Sequence, residues 1–143
     1  MKLGHVALFA RDPKLVADFY ARFLGLEKVA EVVTEQTGEM VLMRTKPNGP
    51  PDLQLMSNPR GGHVAFQVET LAELRDLYAL APERGAQVVF SFDHGSTLSF
   101  YVHDPEGNTS EVFWATGRPP GIGNRPVDLA KSEDELMGLI GAS

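Results

Sequence analysis

Gly4-His5-Val6-Ala7 and Gly62-His63-Val64-Ala65 are the same four residues written twice, at an offset of 58. The same offset carries Asp18 onto Asp76, Tyr20 onto Tyr78, Pro47 onto Pro105 and Gly49 onto Gly107. Ungapped matches spread over most of a period mark a duplicated unit rather than a chance coincidence. The chain therefore reads as two copies of one unit, about 1–57 and 60–115, followed by a tail.

Working outward from the repeated tetrad, each copy follows the same order. A short apolar strand over Leu3–Ala10 precedes Asp12-Pro13, an N-cap and a proline at the first helical position. Leu15, Val16, Phe19, Tyr20, Phe23 and Leu24 keep helical spacing until Gly25 stops the run. In the second copy Thr70 and Glu73 form a capping box, Leu71, Leu74, Leu77 and Tyr78 line the helix, and Pro82 and Gly85 close it. Three runs rich in β-branched and aromatic residues then follow each helix. They lie near 27–33, 39–46 and 52–57 in the first copy, and near 86–91, 97–103 and 109–115 in the second. Asn48-Gly49 and Glu106-Gly107-Asn108 supply turns. The expected fold is α+β: two βαβββ units with mostly antiparallel sheet. Residues 1–116 form one domain in this reading, and 117–143 a C-terminal arm ending in a short helix that starts at Ser132. Pro119, Pro120, Gly121, Gly123 and Pro126 predict that 117–126 is extended and carries no element.

Composition narrows the function. Of 143 residues, 43% are hydrophobic and 22% charged, and 19 acidic against 13 basic residues give a formal charge of −6. No basic run offers the cationic footprint that nucleic acid or an anionic membrane requires. No apolar stretch reaches the roughly 18 residues of a membrane-spanning helix, and the N-terminus lacks the apolar core of a signal peptide. With 0 cysteines, disulfides, thiolate nucleophiles and Cys-ligated zinc are excluded together. A cytoplasmic protein acting on a small molecule is the expectation, with His, carboxylate, amide or water as its only means of holding a metal.

Alternation along the strands sorts the polar groups. His5 alternates with Val6, His63 with Val64, Tyr101 with Phe100 and Val102, and Glu111 with Val112. Each of these strands is expected to turn one apolar face toward a helix. His5, His63, Ser99, Tyr101 and Glu111 then fall on the other, mixed face. Repeated units commonly pair about a pseudo-twofold axis, which brings the equivalent His5 and His63 together. Gln54 occupies the place in copy one that corresponds to Glu111 after a one-residue slip. A lone strand histidine is ordinarily a hydrogen-bonded core residue, and a lone glutamate is ordinarily solvated. Two imidazoles beside a buried carboxylate favour a cation instead, because an unpaired buried Glu is costly. Two His and one carboxylate leave coordination positions open and suit Fe(II) or a similar divalent ion.

The paired units, the two Gly-His-Val-Ala tetrads and Phe100-Tyr101-Val102-His103-Asp104-Pro105-Glu106-Gly107-Asn108 leading into Glu111 resemble the vicinal oxygen chelate superfamily over about 1–116. That group includes glyoxalase I, extradiol ring-cleaving dioxygenases, fosfomycin-resistance thiol transferases, methylmalonyl-CoA epimerase and bleomycin-binding proteins. The resemblance implies that the two βαβββ units pair into an open, curved, mostly antiparallel sheet around a metal-binding cavity, and it places His5, His63 and Glu111 as metal ligands. It places Gln54 where glyoxalase-type members carry a fourth ligand, commonly Glu, and a neutral amide cannot serve there as a proton-shuttling base. Ser99 is a further candidate for contact with the substrate or for the fourth position. Tyr101 resembles the active-site tyrosine of ring-cleaving dioxygenases, and His94 lies two residues from the place of a histidine in their neighbouring strand. Fosfomycin transferases use a lysine in the second unit, whereas here no lysine stands between Lys46 and Lys131.

The resemblance implies a divalent ion, Fe(II) first and Mn(II), Ni(II) or Zn(II) as alternatives, that binds two adjacent oxygens of a small-molecule substrate. The leading expectation is an extradiol-type dioxygenase in which Tyr101, His94 and Glu111 act catalytically. Competing with it are a glyoxalase-type lyase or isomerase, a fosfomycin-type thiol transferase, and a metal-free protein that binds a drug or metabolite. A homodimer is expected, with the Pro/Gly-rich arm reaching toward a partner, and neither nucleic acid nor membrane as a partner.

Overall fold

Asp12 accepts a hydrogen bond from the Leu15 backbone N–H at 3.1 Å, and this cap starts helix α1 at Pro13. The helix runs Pro13–Leu24 and ends at Gly25, whose φ of 73° lets the Gly25 and Leu26 N–H groups return to the Ala21 and Tyr20 carbonyls. Around it lie β1 (Lys2–Phe9), β2 (Glu27–Thr34), β3 (Gly38–Arg44) and β4 (Leu53–Met56). The second copy comprises β5 (His63–Val68), α2 (Leu71–Leu80), β6 (Gln87–Asp93), β7 (Thr97–His103) and β8 (Thr109–Ala115). A two-residue β9 (Arg125–Pro126) and α3 (Glu133–Gly141) follow. The computed structural model describes residues 1–119 and 124–141. The expected α+β order of two βαβββ units is the one observed.

Chain contacts divide the molecule into Gly4–Val64 and a second compact unit of Met1–Leu3 with Ala65–Ser143. In the first, hydrogen-bonded neighbours run β2-β3-β4-β1. β1 and β4 are parallel, with Ala7 opposite Gln54, while β2, β3 and β4 are antiparallel. Val41, Met43, Leu55 and Ala17 form its core, with Val16 and Tyr20 of α1 packed against them. In the second unit the order is β5-β8-β7-β6-β9, and the β8-β7-β6-β9 run is antiparallel. Its core joins α2 and α3 through Leu71, Leu74, Leu136 and Ile140 over Leu98 and Phe100 of β7. Thr70 accepts from the Glu73 N–H while Glu73 accepts from the Glu69 N–H, and Ser132 and Glu135 make the corresponding capping box ahead of α3.

Three expectations change. The strand expected over 86–91 runs on to Asp93, because the Asp93 backbone pairs with Leu98 on one side and Arg125 on the other. The arm expected to lack elements contributes β9; Pro120, Gly121 and Gly123 lie outside the described residues. The apolar faces are also not all covered: Leu8 of β1 is 39% exposed, and Leu15, Phe19 and Phe23 form an i, i+4, i+8 stripe on α1 that is 63, 49 and 70% exposed. No helix among the described residues is long and apolar enough to cross a membrane.

Candidate functional site

His5 sits within β1 and His63 opens β5, and both rings are half-buried. Their Nε2 atoms are 3.0 Å apart and the rings meet edge to face at 78°. His63 Nδ1 lies 2.7 Å from the Gly61 carbonyl oxygen, which only accepts, so Nδ1 carries the proton. In the neutral ring this leaves a lone pair on His63 Nε2, aimed at His5 Nε2. Two facing ring nitrogens at that distance need a proton or a cation between them. The carbonyl bond fixes tautomer and ring orientation, as is usual for a histidine that ligates a metal. Gln54 pairs with Ala7 in the parallel ladder and so shares the sheet face that Ala7 and His5 occupy.

In the second unit the order of events starts at a turn. Asp104 accepts from the backbone N–H groups of Glu106 and Asn108 through Oδ1 and from Asn108 Nδ2 through Oδ2, each at 2.9 Å. Gly107 takes φ 84°, which a side chain would strain. These bonds hold the Asp104 carboxyl below the usual carboxylate range, the Asn108 side chain contributing most. The motif Asp-Pro-Glu-Gly-Asn is thus a hairpin lock, and it sets the β7–β8 register that puts Tyr101 opposite Glu111 and Ser99 opposite Phe113.

Within that register Ser99 Oγ donates to Glu111 Oε1 at 2.7 Å, and both residues are buried. Burial first, then the Glu111 charge and a hydrogen bond to it, push the Tyr101 phenol far above its ordinary range, while a bond to Ser99 acts in the opposite sense. Tyr101 is therefore a neutral O–H. Its oxygen lies 3.0 Å from His94 Nε2. His94 follows β6 in a turn closed by its own N–H to the Thr97 carbonyl at 2.9 Å, and its ring meets Tyr101 edge to face at 89°. The structure thus brings His5 to His63, and Ser99, Tyr101 and His94 to the surroundings of Glu111. His103, at the strand end, stays exposed.

One group was not legible as part of this region. Asp93, 3% exposed, accepts from Arg118 Nη2 at 2.6 Å, Arg125 Nη2 at 2.8 Å and the Gly95 N–H at 2.9 Å. Burial opposes its charge, but Arg125, the Gly95 N–H and Arg118 together hold its carboxyl below the usual range. Thr116 Oγ1 adds a 2.6 Å bond to the Gly95 carbonyl. The arm therefore clamps the turn that carries His94. An acid at a strand end with two arginines in a distant tail is the only sequence trace of it.

The sequence model of the Glyoxalase/Bleomycin resistance protein/Dioxygenase superfamily matches residues 2–112. The chain is 26% identical over 148 aligned residues to biphenyl-2,3-diol 1,2-dioxygenase 3 of Rhodococcus globerulus, covering 99% of this chain and 76% of that protein. Its fold is similar to a catechol 2,3-dioxygenase (TM-score 0.64, 24% identity, 87% of this chain), of which it spans only 43%. It is similar as well to methylmalonyl-CoA epimerase from Mycobacterium tuberculosis (TM-score 0.60, 21% identity), over 80% of this chain and 88% of that one. With the family model matching most of its length and both βαβββ units present, the chain belongs to the glyoxalase/bleomycin resistance/dioxygenase superfamily.

Proposed function

We propose that the protein is an extradiol-type dioxygenase, acting on a small aromatic molecule with two adjacent oxygens, in which His5, His63 and Glu111 hold one divalent ion. The observation that carries this reading is the His5–His63 pair, with both Nε2 atoms converging and one tautomer fixed by the Gly61 carbonyl. Glu111, a buried carboxylate of the second unit, is the third ligand in this reading. Two imidazoles and one carboxylate suit Fe(II), with Mn(II), Ni(II) and Zn(II) as the alternatives. The likeness to a biphenyl-2,3-diol dioxygenase supports the oxygenase reading over other chemistries of the superfamily. Residues 1–116 are taken as the functional domain, with 117–143 attached to it.

When bound, a divalent ion supplies a Lewis-acid centre for two neighbouring substrate oxygens. The chain's own residues do the rest. Ser99 donates to Glu111 Oε1 and so orients the carboxylate. Tyr101, whose O–H is given to Glu111 in this structure, would turn it to a substrate oxygen, and His94 at that hydroxyl would relay a proton. Gln54, being neutral, takes no proton and contributes at most an amide contact. The exposed Leu15-Phe19-Phe23 stripe supports a homodimer, because a second copy would remove it from water. A cytoplasmic setting fits the absence of cysteine.

The test is metal content. Protein purified without added metal and analysed for elements should carry one iron or similar ion per chain, and His63→Ala should lose it. Undiminished stoichiometric metal in His63→Ala sinks the ligand assignment. If O₂ uptake fails to follow substrate with any catechol while redox-inert ions bind at the same residues, the oxygenase assignment falls and only the metal site stands.

A further inference from the structure

The β6-β7-β8 sheet has one face packed on the α2/α3 core through Leu98, Phe100 and Val102, and Phe90 and Phe92 lie on the other. In the antiparallel register Phe90 pairs with Tyr101 and Phe92 with Ser99, so both rings share a face with Tyr101, Ser99 and Glu111. The two phenyl rings stack at 16° with centroids 5.5 Å apart. Phe92 also meets Tyr101 at 6.0 Å and His94 at 5.7 Å. Phe90 remains 56% exposed, although it sits in mid-strand. A register shift between Val88 and Phe90 swings that part of β6, the irregularity that re-aims side chains beside binding sites.

An aromatic pair outside the core, flush with a neutral phenol and an imidazole, is matched by one kind of occupant. We infer that Phe92, extended by Phe90, is a specificity-determining surface on which the second ring of a two-ring aromatic substrate stacks, while the oxygen-bearing ring faces Tyr101 and His94. The chemistry fits at each point. Flat rings gain from offset or edge-to-face contact with Phe beyond their area alone. The open edge at Phe90 leaves room for a ring substituent, and the O–H and imidazole beyond Phe92 face the polar end. A single-ring substrate would reach Tyr101 without needing either phenylalanine. The assignment of the oxygens to a metal-bound diol rests on the proposed function; the stacking surface itself does not.

The experiment separates the two. Titration calorimetry on the full chain, loaded with Fe(II) under anaerobic conditions, compares catechol with biphenyl-2,3-diol. A parallel pair, phenol and 2-hydroxybiphenyl, is titrated against metal-free protein, since neither can chelate. In both pairs the second ring should tighten binding, and Phe92→Leu should remove that gain, on the order of 3- to 10-fold, while changing catechol or phenol affinity less than twofold. Circular dichroism with an unchanged melting profile keeps Phe92→Leu interpretable, and Phe90→Leu serves as the second variant should it unfold. If the second ring adds no affinity in either pair, or both variants weaken one-ring and two-ring ligands alike, the inference is overturned. If neither diol binds the loaded protein but 2-hydroxybiphenyl keeps its Phe92-dependent advantage, the diol reading fails and the stacking surface stands.

Discussion

Ser99 donates to one carboxylate oxygen of Glu111 at 2.7 Å across the β7–β8 ladder, and neither residue reaches solvent. The bond is a buried, charge-assisted one, of the class worth about 1.5–3 kcal/mol. Ser99→Ala should lower the stability of metal-free protein by about that amount in urea unfolding. An unchanged midpoint would mean that Glu111 is neutral or held elsewhere.

Asp93 gives a pH dependence whose sign is fixed. Its folded carboxyl titrates below the ordinary value of 3.8, so its contribution is present at neutral pH and is lost as pH falls through the folded pKa. Asp93→Asn should cost about 3 kcal/mol at pH 7, because two guanidinium groups lose their counter-charge. The difference between wild type and variant should shrink below about pH 4. A constant difference down to acid pH would argue against the ion-pair origin.

Tyr101→Phe deletes the hydroxyl that His94 contacts and leaves the ring in place. With the proposed substrate class, turnover should fall by a factor equivalent to about 1.5–3 kcal/mol, while metal content stays at one per chain. Loss of metal along with activity would move Tyr101 from substrate handling to building the site.

How much of this was readable in advance follows from distance along the chain. The caps Asp12–Leu15, Thr70–Glu73 and Ser132–Glu135 join residues three apart, and the Asp104–Asn108 lock joins residues four apart, so local sequence specifies them. Strand alternation placed Tyr101 and Glu111 on one kind of face, and the Asp104–Asn108 lock sets the register that makes them direct partners. Asp93 with Arg118 and Arg125 was not, since those partners lie 25 and 32 residues away and no periodicity links them. His94 stands outside the strand periodicity, between β6 and β7, and only the turn closed by its N–H to Thr97 brings its ring to Tyr101. Helical spacing found the apolar residues of α1 but could not say that Leu15, Phe19 and Phe23 stay exposed.

That stripe yields a solution test. Sedimentation at micromolar concentration should give a species of twice the 15.6 kDa chain mass, and Phe19→Glu should convert it to monomer without unfolding it. A wild-type chain that stays monomeric at that concentration removes the homodimer proposal.

The clamp on Asp93 bears on where the chain can be shortened. A trimmed version ending at Thr116 would keep every residue of the family match and both repeated units. It would also strand a buried carboxylate without either guanidinium, beside the turn from which His94 reaches Tyr101. The apparently redundant tail is therefore what makes the neighbouring interior charge tolerable, and boundaries drawn by homology alone would cut through the support of the very region they were meant to isolate.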